Sequence, residues 1–502
     1  MTTPAIGAPI SFGARLTDLA ALRPDEPAVV FAPRRGAEVV VTWSELERRA
    51  NQVARSLADR GVGPGSFVAV GLANSPEHVY ASFGTWKVGA GVMPMRSDLP
   101  VWERDRLLAT SQSVLAVGDH EDTAVPSLSL DAIRDTTSLP DRPLPDRVPH
   151  PFVAIPSSGS TGNPKVIVNP LPGTWAAGAQ VPMPSLYLDL PDRLAQLIPA
   201  PLYHTNGFSH LQGALCNGDT VVLMEKFEAS HAVDLLEAHR IACFTAVPTM
   251  LGRMARVEGV RDRDLSAVVY VMQGGAACPD WVVEAWLDLV GDEHFFMTYG
   301  SSERVGLALM SGAEWRTHRG SAGRAYKTEI RILDDDGREL PLGEIGEIYM
   351  RQPDNPGPSF EYVGAAPPRR TPDGFTSIGD LGRLDADDFL YIADRRVDLI
   401  VSGGANVFPA EVEAALSEHP GVHDVVVIGL PDPEWGRRVH AVVEAVDPAA
   451  PPSSEELDAF VRARLTPYKV PKAYEFVDRL PRSDAGKINR SAVAAERVTG
   501  GS

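Results

Sequence analysis

Cysteine is scarce: the 502 residues hold three, Cys216, Cys243 and Cys278, far apart and in no C-x-x-C pair. That excludes a disulfide framework and leaves no structural zinc signature. No uninterrupted apolar run approaches the roughly 20 residues of a membrane-crossing helix. The opening stretch MTTPAIGAPISFGARLTDLA lacks a basic start, an apolar core and a small-residue cleavage site, so the expectation is a cytoplasmic protein without a membrane span. Positive charge is also short. Lys and Arg number 47 against 66 Asp and Glu, a formal net charge of −19, and the basic residues are scattered. Nucleic acid is therefore not expected as a partner.

Glycine and proline are plentiful, 44 and 43, and fall mostly between apolar segments as turns. The length exceeds one hydrophobic core and predicts two or more domains. From Thr42 to Gly61 the sequence TWSELERRANQVARSLADRG opens with a Thr-x-x-Glu capping box and places Leu46, Ala50, Val53, Ala54 and Leu57 at helical spacing. An apolar strand, FVAVGLAN, follows. Next come a helix capped by Ser75 with Pro76 in its first position and a short strand, GVMPM, which together make a parallel crossover unit. The pattern recurs in IACFTAV with PTMLGRMARV, in AVVYVMQ with GGAACPDWVVEAWLDLV, and in HFFMTYG with SSER. Such repetition predicts an α/β fold with largely parallel sheets, whose ligands lie beyond the carboxyl ends of strands.

After Glu329 the texture changes to short strands and tight turns, a β-rich subdomain. The acidic run Asp334 to Asp336 has neither the spacing nor the distal Glu of a calcium loop and reads as a hairpin turn. From about Arg396 a smaller α+β unit begins, large enough to fold by itself. The expected division is 1–394 and 395–502.

The segment SSGSTGNPK, Ser157 to Lys165, offers backbone amides and hydroxyls that can converge on an anion, closed by one cation. Pro164 stands where a Walker A loop needs glycine. The segment is followed by PLYHTNGF (Pro201–Phe208), YGSSE (Tyr299–Glu303), SIGDLGR (Ser377–Arg383), DRRVDLIVSGGANVFPAEVE (Asp394–Glu413) and PRSDAGKINR (Pro481–Arg490). This ordered series, spread over nearly the whole chain, resembles the adenylate-forming superfamily of acyl-CoA synthetases, peptide-synthetase adenylation domains and luciferases.

The resemblance implies a large N-terminal domain, a small mobile C-terminal domain and an active site between them. It also implies ATP and Mg2+, with attack of a carboxylate on the α-phosphate and displacement of AMP by an acyl acceptor. By the same resemblance Ser157, Ser158, Gly159, Ser160, Thr161, Gly162 and Lys165 hold the β- and γ-phosphates, and Glu303 is the magnesium-linked carboxylate. Ser302, where the family usually has threonine, keeps the hydroxyl for the α-phosphate, and Gly300 and Ser301 complete that turn. Tyr299 with Gly274, Gly275 and Ala276 lines the adenine, Asp380 accepts the ribose hydroxyls, and Arg395 contacts ribose or phosphate. Lys487 is the catalytic lysine that bridges carboxylate and α-phosphate during adenylation. His204 borders the acyl and acceptor sites; Trp175, Phe208 and Met272 are pocket candidates that suggest a hydrophobic or aromatic acid. Gly403 and Gly404 border a CoA tunnel.

One position departs from the pattern. Val397 occupies the pivot of the small domain, where the family commonly has Asp or Lys. The first expectation is an acid:CoA ligase for a bulky hydrophobic acid, aromatic or polycyclic, CoA being the acceptor. An amide bond synthetase, with an amine as acceptor, shares every first-step residue. A free carrier protein as acceptor is left open, and a non-catalytic nucleotide-binding scaffold is disfavoured by the retention of Lys487, Glu303 and Asp380.

Overall fold

The computed structural model describes residues 7–119, 123–157, 165–177, 190, 193–354, 359–396, 398–402, 405–484 and 486–499. Thr42 starts its helix as expected: the hydroxyl accepts the Glu45 amide at 3.2 Å, and the helix runs Trp43–Ala58. The reciprocal half of the capping box is replaced by an ion pair, Glu45 lying 3.8 Å from Arg48 one turn on. Ser75 caps Pro76–Lys87 through the His78 amide. Strands Phe67–Val70 and Gly91–Pro94, on either side of that helix, pair in parallel.

Two large sheets result. One has seven strands, with Val153–Ser157, Gly91–Pro94, Phe67–Val70 and Ser113–Val117 as its parallel centre. The other has nine, with Phe295–Gly300, Tyr270–Gln273, Cys243–Ala246, Ala195–Ile198, Thr220–Met224 and Pro27–Ala32 parallel and antiparallel strands at both edges. Helices Trp43–Ala58, Pro76–Lys87 and Thr205–Asn217 contribute Trp43, Leu46, Val53, Phe83, Trp86, Phe208 and Leu211 to a core shared with both sheets. Buried on two faces, the parallel strands read as unbroken apolar runs.

Glu361–Val363 joins the edge of the seven-stranded sheet, while the other strands between Glu329 and Arg395 form an antiparallel six-stranded sheet. Its first turn is held by the Asp334 carboxylate, which accepts the amides of Asp336 and Arg338, the local geometry of a hairpin turn. Strand Asp380–Leu384 of this sheet brings Asp380 to the end of Phe295–Gly300 in the nine-stranded sheet.

The C-terminal unit has a three-stranded sheet, Val422–Asp432, Gly436–Ala445 and Ala473–Val477. The run Asp424–Leu430 alternates between two cores, Val425 and Val427 packing with Val412, Leu416 and Leu457, and Val426 and Ile428 with Leu480 and Val493. Helices therefore cover both faces of the sheet. Among the described residues no helix is long and apolar enough to cross a membrane.

Trp286 shows what the large core is worth. It is fully buried, its indole N–H donates to the Leu251 carbonyl at 3.1 Å, and its ring meets Phe244 edge-on at 5.5 Å. Trp286→Ala is expected to destabilise the large domain by about 3–5 kcal/mol, read as a lower denaturant midpoint.

Candidate active site

Three parallel strands, Cys243–Ala246, Tyr270–Gln273 and Phe295–Gly300, end at one edge of the nine-stranded sheet. Beyond the second comes the turn Gly274–Gly275–Ala276. Gly275 takes φ +88, and a Cβ on Gly274 would lie 2.8 Å from Thr298 Oγ1 on the neighbouring strand, so only glycine allows this approach. The Ala276 carbonyl accepts from the Gln273 side chain.

Beyond the third strand two carboxylates are gathered. Tyr299 donates its hydroxyl to Asp380 Oδ2 at 2.6 Å, and Arg395 Nε lies 3.5 Å from Asp380 Oδ1. Burial first, and the Asp380 charge second, push the Tyr299 phenol well above its ordinary range, so it remains a donor. Glu303 is paired likewise: Tyr362 donates to its Oε1 at 2.7 Å, and Lys165 Nζ stands 3.5 Å from the same oxygen and 3.8 Å above the Tyr362 ring. Both carboxylates are less than a tenth exposed. Between them Ser302 Oγ shares a 2.5 Å hydrogen bond with Thr205 Oγ1, and Ser301 Oγ is buried with no partner.

His204 is the cap residue of Thr205–Asn217, but its side chain makes no cap bond. Its ring lies 4.5 Å from that of Tyr203, and Nε2 is buried without a partner. Burial, with the positive charge of Lys487 second, lowers its pKa to about 4. It is a neutral imidazole at pH 7.

Lys487 enters from the C-terminal unit. Its carbonyl accepts the Ser483 amide at 2.8 Å, its own amide donates to the Ser483 hydroxyl at 3.2 Å, and Arg482 donates to the Gly486 carbonyl while paired with Asp424. Gly486 takes φ +72, and a Cβ there would collide with Thr249 Oγ1 in the first turn of helix Pro248–Ala255. Asp484 reaches Lys226 at 3.3 Å. The lysine loop is thus seated directly on the large domain. The Lys487 side chain keeps solvent access, yet protein walls surround it. Burial and then nearby Arg395 lower its pKa, while Glu303 raises it.

The structure therefore brings Lys165, Tyr299, Ser302, Glu303, Asp380, Arg395, His204 and Lys487 to one cleft. Met272 is buried in its strand beside Phe296 and Leu194. Phe208 is buried against Trp86 and His78 and lines a small cavity with Thr205 and Ser302. Trp175 donates to Asn217, the last residue of the helix that begins after His204, and Arg15 covers its ring. Twelve helical steps of about 1.5 Å separate it from the cleft end. Ser157 ends its strand, paired with Lys165. Ser158, Gly159, Ser160, Thr161 and Gly162, together with Val397, Gly403 and Gly404, lie outside the described residues. Tyr362, Thr205 and Thr249 were not legible. Tyr362 is brought to Glu303 only by pairing of Glu361–Val363 with Lys165–Asn169, which no local sequence pattern announces.

Buried acids without metal-ligating neighbours suit a cation held largely by its substrate. Among the described residues no cluster of three or more His, Cys, Asp or Glu could hold a metal ion. Mg2+ is commonly bound by one carboxylate plus phosphates, and Glu303, both of whose contacts fall on Oε1, fits that manner of binding.

The AMP-binding enzyme model matches residues 16–356, and the model for the C-terminal domain of the same enzymes matches 411–487. The chain belongs to the AMP-binding enzyme family. A feruloyl-CoA synthase from Amycolatopsis sp is 33% identical, the match covering 92% of this chain and 95% of the relative. The o-succinylbenzoate CoA synthetase of Bacillus subtilis, solved with its acyl-adenylate, superimposes with a TM-score of 0.81 at 27% identity, covering 97% and 98% of the two chains. The amide bond synthetase McbA of Marinactinospora thermotolerans gives 0.78 at 28% identity, covering 97% and 99%.

Within this cleft, His204 is expected to stay neutral through pH 7 and to protonate only near pH 4. Histidine-selective NMR, with His204→Gln to assign the resonance, reads that midpoint against the ordinary value near 6.5.

Proposed function

We propose that the protein activates an aromatic carboxylic acid with ATP and passes the acyl group to CoA. The observation that carries this reading is the seating of Lys487, from the C-terminal unit, within the charge field of Glu303 and Arg395 in one cleft. In the first step a carboxylate oxygen of the acid attacks the α-phosphorus, and the bond to the bridging oxygen breaks to release pyrophosphate. Lys487 offers a mobile ammonium to the two reacting anions, holding the carboxylate oxygen near the α-phosphate while charge moves onto the leaving group. Glu303 would hold Mg2+, which would supply charge neutralisation for the phosphates. Asp380, fixed by Tyr299, has acceptor oxygens for a ribose diol, and Lys165 and Ser302 face the phosphate side. In the second step the CoA sulfur attacks the acyl carbon, its proton is lost, and AMP leaves.

The named relatives support the substrate class, because feruloyl-CoA synthase, 2-succinylbenzoate–CoA ligase and indoleacetate–CoA ligase all take aromatic acids. We assign 1–394 to adenylation and 395–502 to the lid, with the tunnel bordered by Gly403 and Gly404. ATP and CoA as substrates put the activity in the cytoplasm. A second reading, transfer to an amine, draws on the neutral His204 near Lys487, whose buried Nε2 has no partner and can hydrogen-bond an incoming amine, and on the likeness to McbA. It ranks second because the named sequence relatives above are CoA ligases.

Pyrophosphate release is measured with Mg2+ and ATP for ferulate, indoleacetate, 2-succinylbenzoate and a fatty acid, each alone, with CoA and with simple amines. Acyl-CoA is the expected product. Amide without acyl-CoA would replace the first reading by the second, and no acid-dependent release would end both. Lys487→Ala is expected to slow release about 100-fold or more while ATP still binds. Asp380→Ala is expected to weaken ATP binding about tenfold, measured by calorimetry.

A further inference from the structure

Asp394 is the penultimate residue of strand Leu390–Arg395 and is 6% exposed. One carboxylate oxygen accepts the Arg395 amide at 2.7 Å; the other accepts the Ala410 amide at 2.9 Å. Ala410 lies in the first turn of helix Pro409–Ser417, whose own cap residue, Phe408, has no side-chain acceptor and whose first residue has no N–H. The helix is therefore capped by a residue on the far side of position 397. From its second turn Glu413 pairs with Arg490 at 2.6 Å, and Arg490 also reaches Asp398 at 3.1 Å. Arg490 is three residues beyond Lys487. A continuous set of contacts thus runs from Asp394 through one helix to the segment that carries the lysine.

We infer that Asp394 is a positioning residue: by capping helix Pro409–Ser417 across position 397 it holds the C-terminal unit in the pose that seats Lys487, and it releases that helix for acyl transfer. This inference rests on the two-step reading above. Rotation of the C-terminal unit against strand Leu390–Arg395 moves Ala410 relative to Asp394, so the bond belongs to one pose. Its strength depends on charge, because an ionised acceptor binds an amide more strongly than a neutral one. Burial pushes the Asp394 carboxyl up to about 6, against the opposing pull of Arg490 and of the two amides, while Glu413 adds to the rise. The charged groups acting on it are Arg490 on the last helix and Glu413 on the capped helix, and Asp398 pairs with the same Arg490; the Arg395 guanidinium turns instead to Asp380. Because the pKa is raised, the carboxylate is ionised above about 6 and takes a proton as pH falls through that value. The cap is full above that range and weakened below it.

The seated pose can be read without turnover, since Lys226 and Asp484 lie 3.3 Å apart across the two units. Zero-length carbodiimide coupling of the full-length protein, followed by mass spectrometry, measures that Lys226–Asp484 link relative to recovered Lys226 peptide. Asp394→Ala is expected to shift the ratio of seated to displaced protein about fivefold, the usual worth of a lost cap, and to lower the yield. Asp394→Asn, which keeps the shape and one acceptor oxygen, is expected to fall between. With ferulate as probe acid, single-turnover adenylate formation should slow in Asp394→Ala, while acyl transfer from preformed adenylate does not. In the wild type that ratio of rates should fall between pH 7 and pH 5, and in Asp394→Asn it should stay flat. An unchanged link yield, or equal slowing of both steps, overturns the inference. If no acid yields adenylate the two-step reading fails, and the link yield still decides whether Asp394 sets the pose.

Discussion

Two carboxylates buried within one cleft are the constraint on which the rest of the architecture depends. Removing an ion from water costs several kcal/mol unless donors and opposite charge replace the lost hydration. Asp380 and Glu303 each receive a tyrosine hydroxyl and a cation, and no two of those partners come from one local segment. Tyr299 comes from the parallel sheet, Arg395 from the six-stranded sheet, and Lys165 and Tyr362 from neighbouring strands of the seven-stranded sheet. The three sheets must therefore meet at this point for either acid to be satisfied. Fold and site are one packing problem.

The same arrangement explains why a mobile cation suits the centre. Lys165 and Arg395 neutralise the acids from fixed strands, whereas Lys487 arrives on a separately cored unit and feels Arg395 as a repulsive neighbour. A lysine held by competing attraction and repulsion is poised to follow its anionic partners. Its position depends on the seating of Gly486 against Thr249 and on the cap that Asp394 lends to Pro409–Ser417.

Elements set by local chemistry were legible in the sequence. Thr42 and Ser75 start their helices, the apolar alternation of 424–430 serves two cores, and Asp334 braces its turn. The motif series located Glu303, Asp380 and Lys487, which the fold brings to one cleft. What failed to show was long-range placement. An aromatic such as Trp175 carries no mark of which end of a helix it will meet, and Tyr362 reaches Glu303 through a strand pairing of residues nearly 200 positions apart. The Asp394 cap was hidden for a related reason. Phe408 and Pro409 look like a poorly started helix until the acceptor from another segment is seen.

The Arg482 guanidinium, clasped by Asp424 and bonded to the Gly486 carbonyl, has one more consequence. Those bonds lie wholly within the small unit, so the lysine loop is shaped before it meets the large domain. Docking then orders few additional backbone torsions and sacrifices chiefly the rigid-body freedom of a tethered module. On the proposed reading, a lysine delivered in finished form can come and go in each turnover without refolding, which lets one cleft host two chemically different steps in succession.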